Sequence, residues 1–274
     1  MAQTPDLRGT VSVVTGATRG VGRGVAKALA DAGARVYVTG RSVSAQADLA
    51  TRTHHASSLD GVLPLRCDHT DDVQTESTLD FVIAREGRLD ILVNAAWGGY
   101  ERMVDAGQFT WTVPFWQQPM WRWDAMFAGG VRALFACSRI AARQMVAQRG
   151  GLIANISFWA AQKYLGNAIY GAAKIATDRL TADMARELSE HGVTVVSVYP
   201  GLVRTELVMQ SAEFLDMSNS ESPEFTGRAI AHLYADGERH RHTGSVLVAA
   251  AYAREAGFSD IDGRRPEPLT LDCV

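Results

Sequence analysis

Tyr170 and Lys174, four residues apart in Tyr170-Gly171-Ala172-Ala173-Lys174, carry the clearest chemical signal in the chain. On a helix such positions share a face one turn apart, so a phenol stands beside an ammonium. A tyrosine with a reference pKa of about 10 is a poor base near neutrality. A neighbouring ammonium favours its phenolate, and the pair is then expected to exchange a proton with a substrate oxygen. Tyr-x-x-x-Lys also arises often by chance, so its weight depends on what stands upstream.

Upstream is the turn Thr15-Gly16-Ala17-Thr18-Arg19-Gly20-Val21-Gly22, between a β-branched run and a helical pattern. Glycines there let backbone approach a pyrophosphate, and the next helix offers its N-terminal amides and dipole. An ordinary tight turn reads alike on the motif alone; the strand before and helix after favour phosphate binding. An NAD site needs an acid near the end of the second strand to hold the ribose 2′-hydroxyl. This one ends Val38-Thr39-Gly40-Arg41-Ser42, with no carboxylate. Arg41 offers a fork of donors suited to a 2′-phosphate and Arg19 a second, against the plainer reading of two solvated surface arginines. NADP(H) is the expected cofactor.

These residues need strands and helices to position them. Strand-like runs stand at Thr10–Thr15, Arg35–Val38, Val62–Cys67, Leu89–Val93, Leu152–Ile156, Val193–Val198 and Ser245–Val248. Helical stretches separate them, at Gly20–Ala32 and near 43–58, 71–86, 123–147, 168–190 and 223–235. Such alternation means β-α-β units. The expected fold is α/β, a single doubly wound Rossmann domain over 1–274 with a seven-stranded parallel sheet and helices on both faces. No repeat or linker-like stretch interrupts it.

Composition narrows the classes. With 274 residues and 47% hydrophobic, the chain is neither disordered nor fibrous. Lys+Arg 27 against Asp+Glu 30 leaves no basic surplus for a nucleic-acid partner. No membrane span and no leader are expected. Cys67, Cys137 and Cys273 are widely spaced, as befits thiols in a reducing compartment, and a cytoplasmic setting follows. His54-His55 and His240/His242 lack partners at ligand spacing, so no metal is expected.

Together the Gly-rich turn and the Tyr170/Lys174 pair resemble the short-chain dehydrogenase/reductase family over nearly the whole chain. Thr15–Gly22 matches its Thr-Gly-x-x-x-Gly-x-Gly, and Asp68 the acid that meets adenine. Asn94-Ala95-Ala96 is similar to its Asn-Asn-Ala-Gly, with the second Asn and the Gly missing. Pro200-Gly201-Leu202-Val203-Arg204-Thr205 matches the segment that lies against the nicotinamide, with Thr205 near its carboxamide. Pro114-Phe115-Trp116, Trp123-Asp124 and Asp260-Ile261-Asp262-Gly263-Arg264 resemble one branch of the family, typified by a mammalian dehydrogenase/reductase. The resemblance implies hydride transfer between nicotinamide and a carbonyl or alcohol, with Tyr170 handling the proton and Lys174 the ribose hydroxyls. It also implies a homodimer or homotetramer through the helices near 123–147 and 168–190.

The chain departs from the family twice. Seven residues beyond Trp123, where the family carries a catalytic Asn, stands Gly130; the branch also has glycine there. Gly129-Gly130 inside a helix predicts a kink or a close approach. In place of Asn-x-Ser-Ser the chain reads Asn155-Ile156-Ser157-Phe158. Strand registry puts Phe158 in the catalytic serine's place, while the 13-residue count to Tyr170 selects Ser157, which is preferred.

Five of the six tryptophans fall between Trp97 and Trp123, in a stretch of low periodicity after the fourth strand, where ligands bind in such sheets. The loop 97–123 reads either as an aromatic wall over an apolar ketone, quinone or aldehyde, or as a loop burying its own aromatics or a subunit contact. By family analogy the stretch 206–221 is a substrate lid, with Leu207, Val208, Met209, Phe214, Leu215 and Met217 apolar enough to close on such a ligand. The leading expectation is therefore an NADP(H)-dependent oxidoreductase. The rival is a low-activity nucleotide-binding sensor or partner-binding protein, motivated by Gly130 and Phe158. A sugar-nucleotide epimerase shares the Tyr/Lys pair but not the spacing of Gly16, Gly20 and Gly22.

Overall fold

Valine-rich runs become strands here because β-branched side chains fit a pleated surface covered on both faces. The computed structural model describes residues 4–43, 62–105 and 107–274. Its seven-stranded sheet holds β1 (Val11–Val14), β2 (Arg35–Gly40), β3 (Val62–Arg66), β4 (Ile91–Asn94), β5 (Gly151–Ile156), β6 (Val193–Tyr199) and β7 (Val246–Val248). All pair in parallel, in the order β3-β2-β1-β4-β5-β6-β7. After β3 the chain crosses to the far side of β1, so β1 and β4 flank a switch point, where such sheets open a crevice at their carboxyl ends.

The helices are α1 (Gly20–Asp31), α2 (Asp72–Glu86), α3 (Met120–Met126), α4 (Ala133–Gln148), α5 (Ala168–Leu188), α6 (Glu206–Met209), α7 (Pro223–Ala235) and α8 (Ala249–Ala256). Strand side chains alternate between the two faces. Val14, Ile91, Val93, Leu152 and Val196 pack with Leu29 of α1 and Phe225 and Ile230 of α7. Val13, Leu92, Ile153 and Val195 pack with Leu79 of α2, Ile140 of α4 and Leu188 of α5. Asn167 caps α5 by accepting from the Tyr170 backbone N–H at 3.0 Å, which fixes that residue in the helix's first turn.

The expected helix near 123–147 is instead α3, a π-helical turn over Phe127–Arg132, and α4. The π turn contains Gly129-Gly130, residues that hold a regular helix poorly. The loop 97–123 has more order than its periodicity suggests: Val104–Asp105 pairs antiparallel with Gln108–Phe109, and a 3₁₀ turn spans Phe115–Gln117. The helix α8 was not anticipated. The expected helix near 43–58, Val43 apart, and His54-His55 lie outside the described residues.

Met120–Gln148, 29 residues with mean hydropathy 1.3 in its most apolar window, is long and apolar enough by length and composition to cross a membrane, which the sequence reading did not expect. In this fold its last part, α4, packs on the sheet: Leu134, Cys137, Ile140, Ala141 and Met145 are buried, the last four of them against the strands. Among the described residues no cluster of three His, Cys, Asp or Glu has metal-ligating geometry.

Candidate active site

The Gly-rich turn is fastened to the end of β4. Thr15 Oγ1 accepts from the N–H groups of Ala95 (3.1 Å) and Ala96 (3.0 Å). Gly16 adopts φ +65°, and a Cβ there would lie 2.6 Å from Ala96 Cα, so only glycine fits. Thr18 packs on Gly40, and Val21 lies partly buried against the core. Arg19 is the N-cap of α1, and the helix's first N–H, at Gly20, donates to Glu206 Oε2 at 2.9 Å. Arg19 and Arg41 converge on Glu101 Oε1 at 3.8 and 3.6 Å, while Glu101 Oε2 accepts from Gly99 N–H at 2.7 Å. Two carboxylates of the chain itself thus stand as anions at the helix N-terminus and between the two arginines. Both places accept negative charge, as a pyrophosphate and a 2′-phosphate would require.

Other residues matched to the cofactor hold the frame of this crevice. The Asn94 amide donates to Ser138 Oγ (3.0 Å) and Asn155 Oδ1 (2.8 Å), tying β4 to α4 and β5. Asp68 Oδ1 accepts from the Thr70 N–H and hydroxyl, turning the chain into α2. The segment Pro200–Thr205 is pinned by Glu221, whose Oε2 accepts from Gly201 N–H at 2.9 Å, and Val203 bridges to Glu221. Thr205 caps α6, and its methyl borders Gly20. Arg204 reaches Asp260 (3.3 Å) and Asp262 (3.1 Å), and the Ser222 N–H donates to Asp260 Oδ2 at 2.7 Å. The tail therefore anchors both ends of the stretch 206–221.

Tyr170 and Lys174 are buried, 7% and 5% exposed. The Tyr170 ring meets Trp111 (5.3 Å between centroids), Trp97 (5.8 Å) and Tyr100 (6.1 Å), and its hydroxyl hydrogen-bonds that of Tyr100. Lys174 Nζ donates to the Ile156 carbonyl at 3.0 Å and lies 3.8 Å from the Trp97 ring centroid. Burial, followed by Tyr100, raises the Tyr170 phenol well above 10. Burial also lowers the Lys174 ammonium to about 7, against Asp178, which favours the charge. The expected phenolate is thus not the form this structure holds, because the same dry surroundings disfavour both charges. Tyr170 stands as a protonated donor.

Ser157 is buried, 1% exposed, just beyond the end of β5. Its N–H donates to Val198 carbonyl at 3.0 Å, so the strand register runs on through it. Its hydroxyl donates to the Lys174 carbonyl at 3.5 Å. The next side chain faces the other way, and Phe158 packs in the cluster that holds Tyr170, Trp111 and Trp97. The 13-residue count and the strand registry thus select neighbours that face opposite ways, Ser157 toward the α5 backbone and Phe158 toward the aromatic cluster around Tyr170. At Gly130, a Cβ would lie 2.6 Å from Trp97 Cζ3, so the close approach is to the indole.

The aromatic segment divides in two. Trp97, Tyr100 and Trp111 turn in on Tyr170, whereas Phe115 and Trp116 are 70% and 71% exposed. Arg122, fully buried, holds the segment: its guanidinium donates to the carbonyls of Thr110 (2.8 Å) and Arg102 (3.1 Å), to Thr110 Oγ1 and to Gln118. Sequence reasoning missed Arg122, Glu101, Glu206 and Glu221 as site residues. A lone arginine among tryptophans was the available sign of the first; the glutamates gave none.

The short chain dehydrogenase family model matches residues 10–216. Dehydrogenase/reductase SDR family member 1 of Mus musculus is 38% identical over 276 residues, covering 94% of this chain and 85% of that one. D-erythrulose reductase of Gallus gallus is 36% identical over 207 residues, covering 74% and 76%. A crystal structure of a short-chain type dehydrogenase/reductase from Mycobacterium marinum superposes with a TM-score of 0.73 at 29% identity, covering 89% of this chain and 94% of that one.

Proposed function

Because this chain belongs to the short-chain dehydrogenase family, whose members use nicotinamide cofactors, we propose that it is an NADP(H)-dependent oxidoreductase interconverting the carbonyl and alcohol of an apolar small molecule. One observation carries the reading. Tyr170 and Lys174 stand one turn apart on α5, against the residues that leave the carboxyl ends of β4 and β5.

NADP(H) suits the residues present. The N–H of Gly20 and the guanidinium groups of Arg19 and Arg41 already meet carboxylates, and β2 ends without an acid. When bound, the cofactor supplies the hydride, which no side chain can. Gly16, Thr18, Arg19, Gly20, Val21, Gly22 and Arg41 would hold its phosphates. Asp68, Asn94, Ala95, Pro200, Gly201, Val203 and Thr205 would border the rest, and Lys174 the ribose hydroxyls.

The chain's own residues manage the oxygen. Tyr170, kept protonated by burial, donates to the carbonyl oxygen as it becomes an alcohol. With Phe158 where a serine donor would stand, the second hydroxyl at this point belongs to Tyr100. Trp97, Trp111 and Phe158 exclude water and favour an apolar ketone, quinone or aldehyde. A cytoplasmic setting belongs to the same proposal, supported by three free cysteines. So does self-association through α4 and α5, whose Phe135 and Ile175 are 47% and 49% exposed.

The test is NADPH oxidation over a panel of apolar carbonyls by the wild type and Tyr170→Phe. The variant is expected to bind NADPH and to lose turnover by roughly 10³-fold or more. Equal turnover in both sinks the reading. Phe158 beside Tyr170 favours a second reading, a nucleotide-binding sensor, which predicts NADPH binding with no turnover on any carbonyl.

A further inference from the structure

Lys174 is a buried cation with few polar neighbours. Its Nζ donates to the Ile156 carbonyl, and Asp178, one turn along α5, is engaged by the Tyr199 hydroxyl. The titratable groups that bear on it are Asp178 and Tyr170, whose ring centroid lies 5.7 Å from Nζ; Tyr199 from β6 engages Asp178, and Tyr100 from the segment after β4 packs on Tyr170. From α4 and the π turn the position that closes on this space is Gly130, which has no side chain. What faces the ammonium instead is the Trp97 indole, 3.8 Å from Nζ to the ring centroid.

The indole is fixed from two sides. Its benzo edge lies where a Cβ on Gly130 would come within 2.6 Å of Cζ3, and it meets Tyr170 edge-on at 77°. Its Nε1–H is buried without a partner, a cost that phenylalanine would avoid in the same space. An indole offers the strongest cation-binding face of the aromatic side chains, and the attraction grows when both groups are dry.

We propose that Trp97 is the positioning residue for Lys174, its indole face holding the ammonium over α5 in room that glycine at 130 leaves open. The arrangement ties the segment after β4 to the charged end of the catalytic pair. The proposal rests on the oxidoreductase reading for its effect on turnover, but not for the contact itself.

The chain contains only three lysines, Lys27, Lys163 and Lys174, which makes the contact measurable without activity. In protein labelled with ¹³C-lysine, Lys174→Met assigns the third Cε signal. In the wild type that signal is expected to be displaced by the indole ring current and to titrate near 7. In Trp97→Leu the displacement vanishes, and the midpoint falls by about one pH unit because the face that favoured the charge is gone. Trp97→Phe retains part of both effects. Gly130→Ala, which leaves Trp97 in the chain, pushes the indole aside and moves the signal the same way as Trp97→Leu.

An undisplaced wild-type signal overturns the proposal. So does a midpoint that stays or rises in Trp97→Leu. Turnover separates the two claims: Lys174 signals that behave as stated in a protein with no carbonyl reduction leave the contact standing and remove the oxidoreductase reading. On that reading, Trp97→Leu lowers kcat about tenfold with a smaller change in KM, and Trp97→Phe recovers part of it.

Discussion

At the residue scale, Tyr170 and Lys174 were legible because a helix brings positions four apart together without help from the rest of the fold. The serine position was not. Which of Ser157 and Phe158 faces Tyr170 is decided by the register of β5 on β6, a pairing 42 residues away in the pair Ile156–Val198 that local spacing does not carry. With Phe158 facing in, the proposed function makes Tyr100 the second hydroxyl, and burial pushes its phenol up to about 12, so it stays a donor across the working range. Tyr100→Phe is therefore expected to cut kcat roughly 10²-fold in the carbonyl assay while NADPH still binds. Glu221 gives a pH prediction. Burial raises its carboxyl from 4.5 to about 7, so the folded chain holds that proton more tightly than the unfolded chain. The group costs nothing well below pH 4.5, and its penalty grows as pH rises to 7, reaching about 3 kcal/mol above it. Glu221→Gln keeps an acceptor for the Gly201 N–H, so its gain in melting temperature over wild type should be larger at pH 8 than at pH 5. An equal gain at both values contradicts this.

At the element scale, all seven strands were placed within two residues at each end, β2 running two residues further than its run suggested and β4 starting two residues later. Apolar runs bounded by turns announce strands buried on both faces. The segment after β4 resisted because its order comes from one side chain rather than from a period. Arg122, at the start of α3, crosses to the carbonyls of Arg102 and Thr110 and lies over the rings of Trp111 (5.8 Å) and Trp121 (4.9 Å). Carbonyls and rings that converge on a buried guanidinium lose their partner together when it is removed. Arg122→Met should therefore cost about 3 kcal/mol or more in urea unfolding. It should also expose the 97–123 segment to limited proteolysis before the sheet unfolds. If the variant melts like wild type and resists cleavage there, the arginine does not organise the segment. The π turn followed from the sequence in kind only: paired glycines announced a close approach, but the Trp97 ring that makes it lies on another element.

At the scale of the whole molecule, the doubly wound topology brings together residues that share no element. Arg19 comes from the β1–α1 turn, Arg41 from the end of β2 and Glu101 from the segment after β4, and they meet at the carboxyl edge of the sheet. The two arginines were expected as a 2′-phosphate fork, and the structure brings them together on one carboxylate; Glu101 between them was not legible, since nothing local ties it to either. All three are at least partly exposed, so each ion pair contributes little to stability. Their consequence is for binding. A 2′-phosphate brings more negative charge to the fork than a single carboxylate, and the planar donors of arginine suit it. The phosphate must nevertheless displace Glu101 from its place. Arg19→Ala/Arg41→Ala should then raise the Kd for NADPH by roughly 10²-fold and leave that for NADH within a few-fold, because NADH has no 2′-phosphate to lose. Glu101→Gln should act the other way, tightening NADPH by a few-fold and leaving NADH alone. Each is read by titrating nicotinamide fluorescence at fixed ionic strength, since exposed charges are screened by salt. Parallel losses for the two nucleotides in the double variant would mean that the arginines meet a group both share, such as the pyrophosphate, and that cofactor choice is made elsewhere; no loss for either would make them solvated surface charges. A selective loss of NADPH, with the opposite selectivity in Glu101→Gln, makes the fork and its resident carboxylate one competing site.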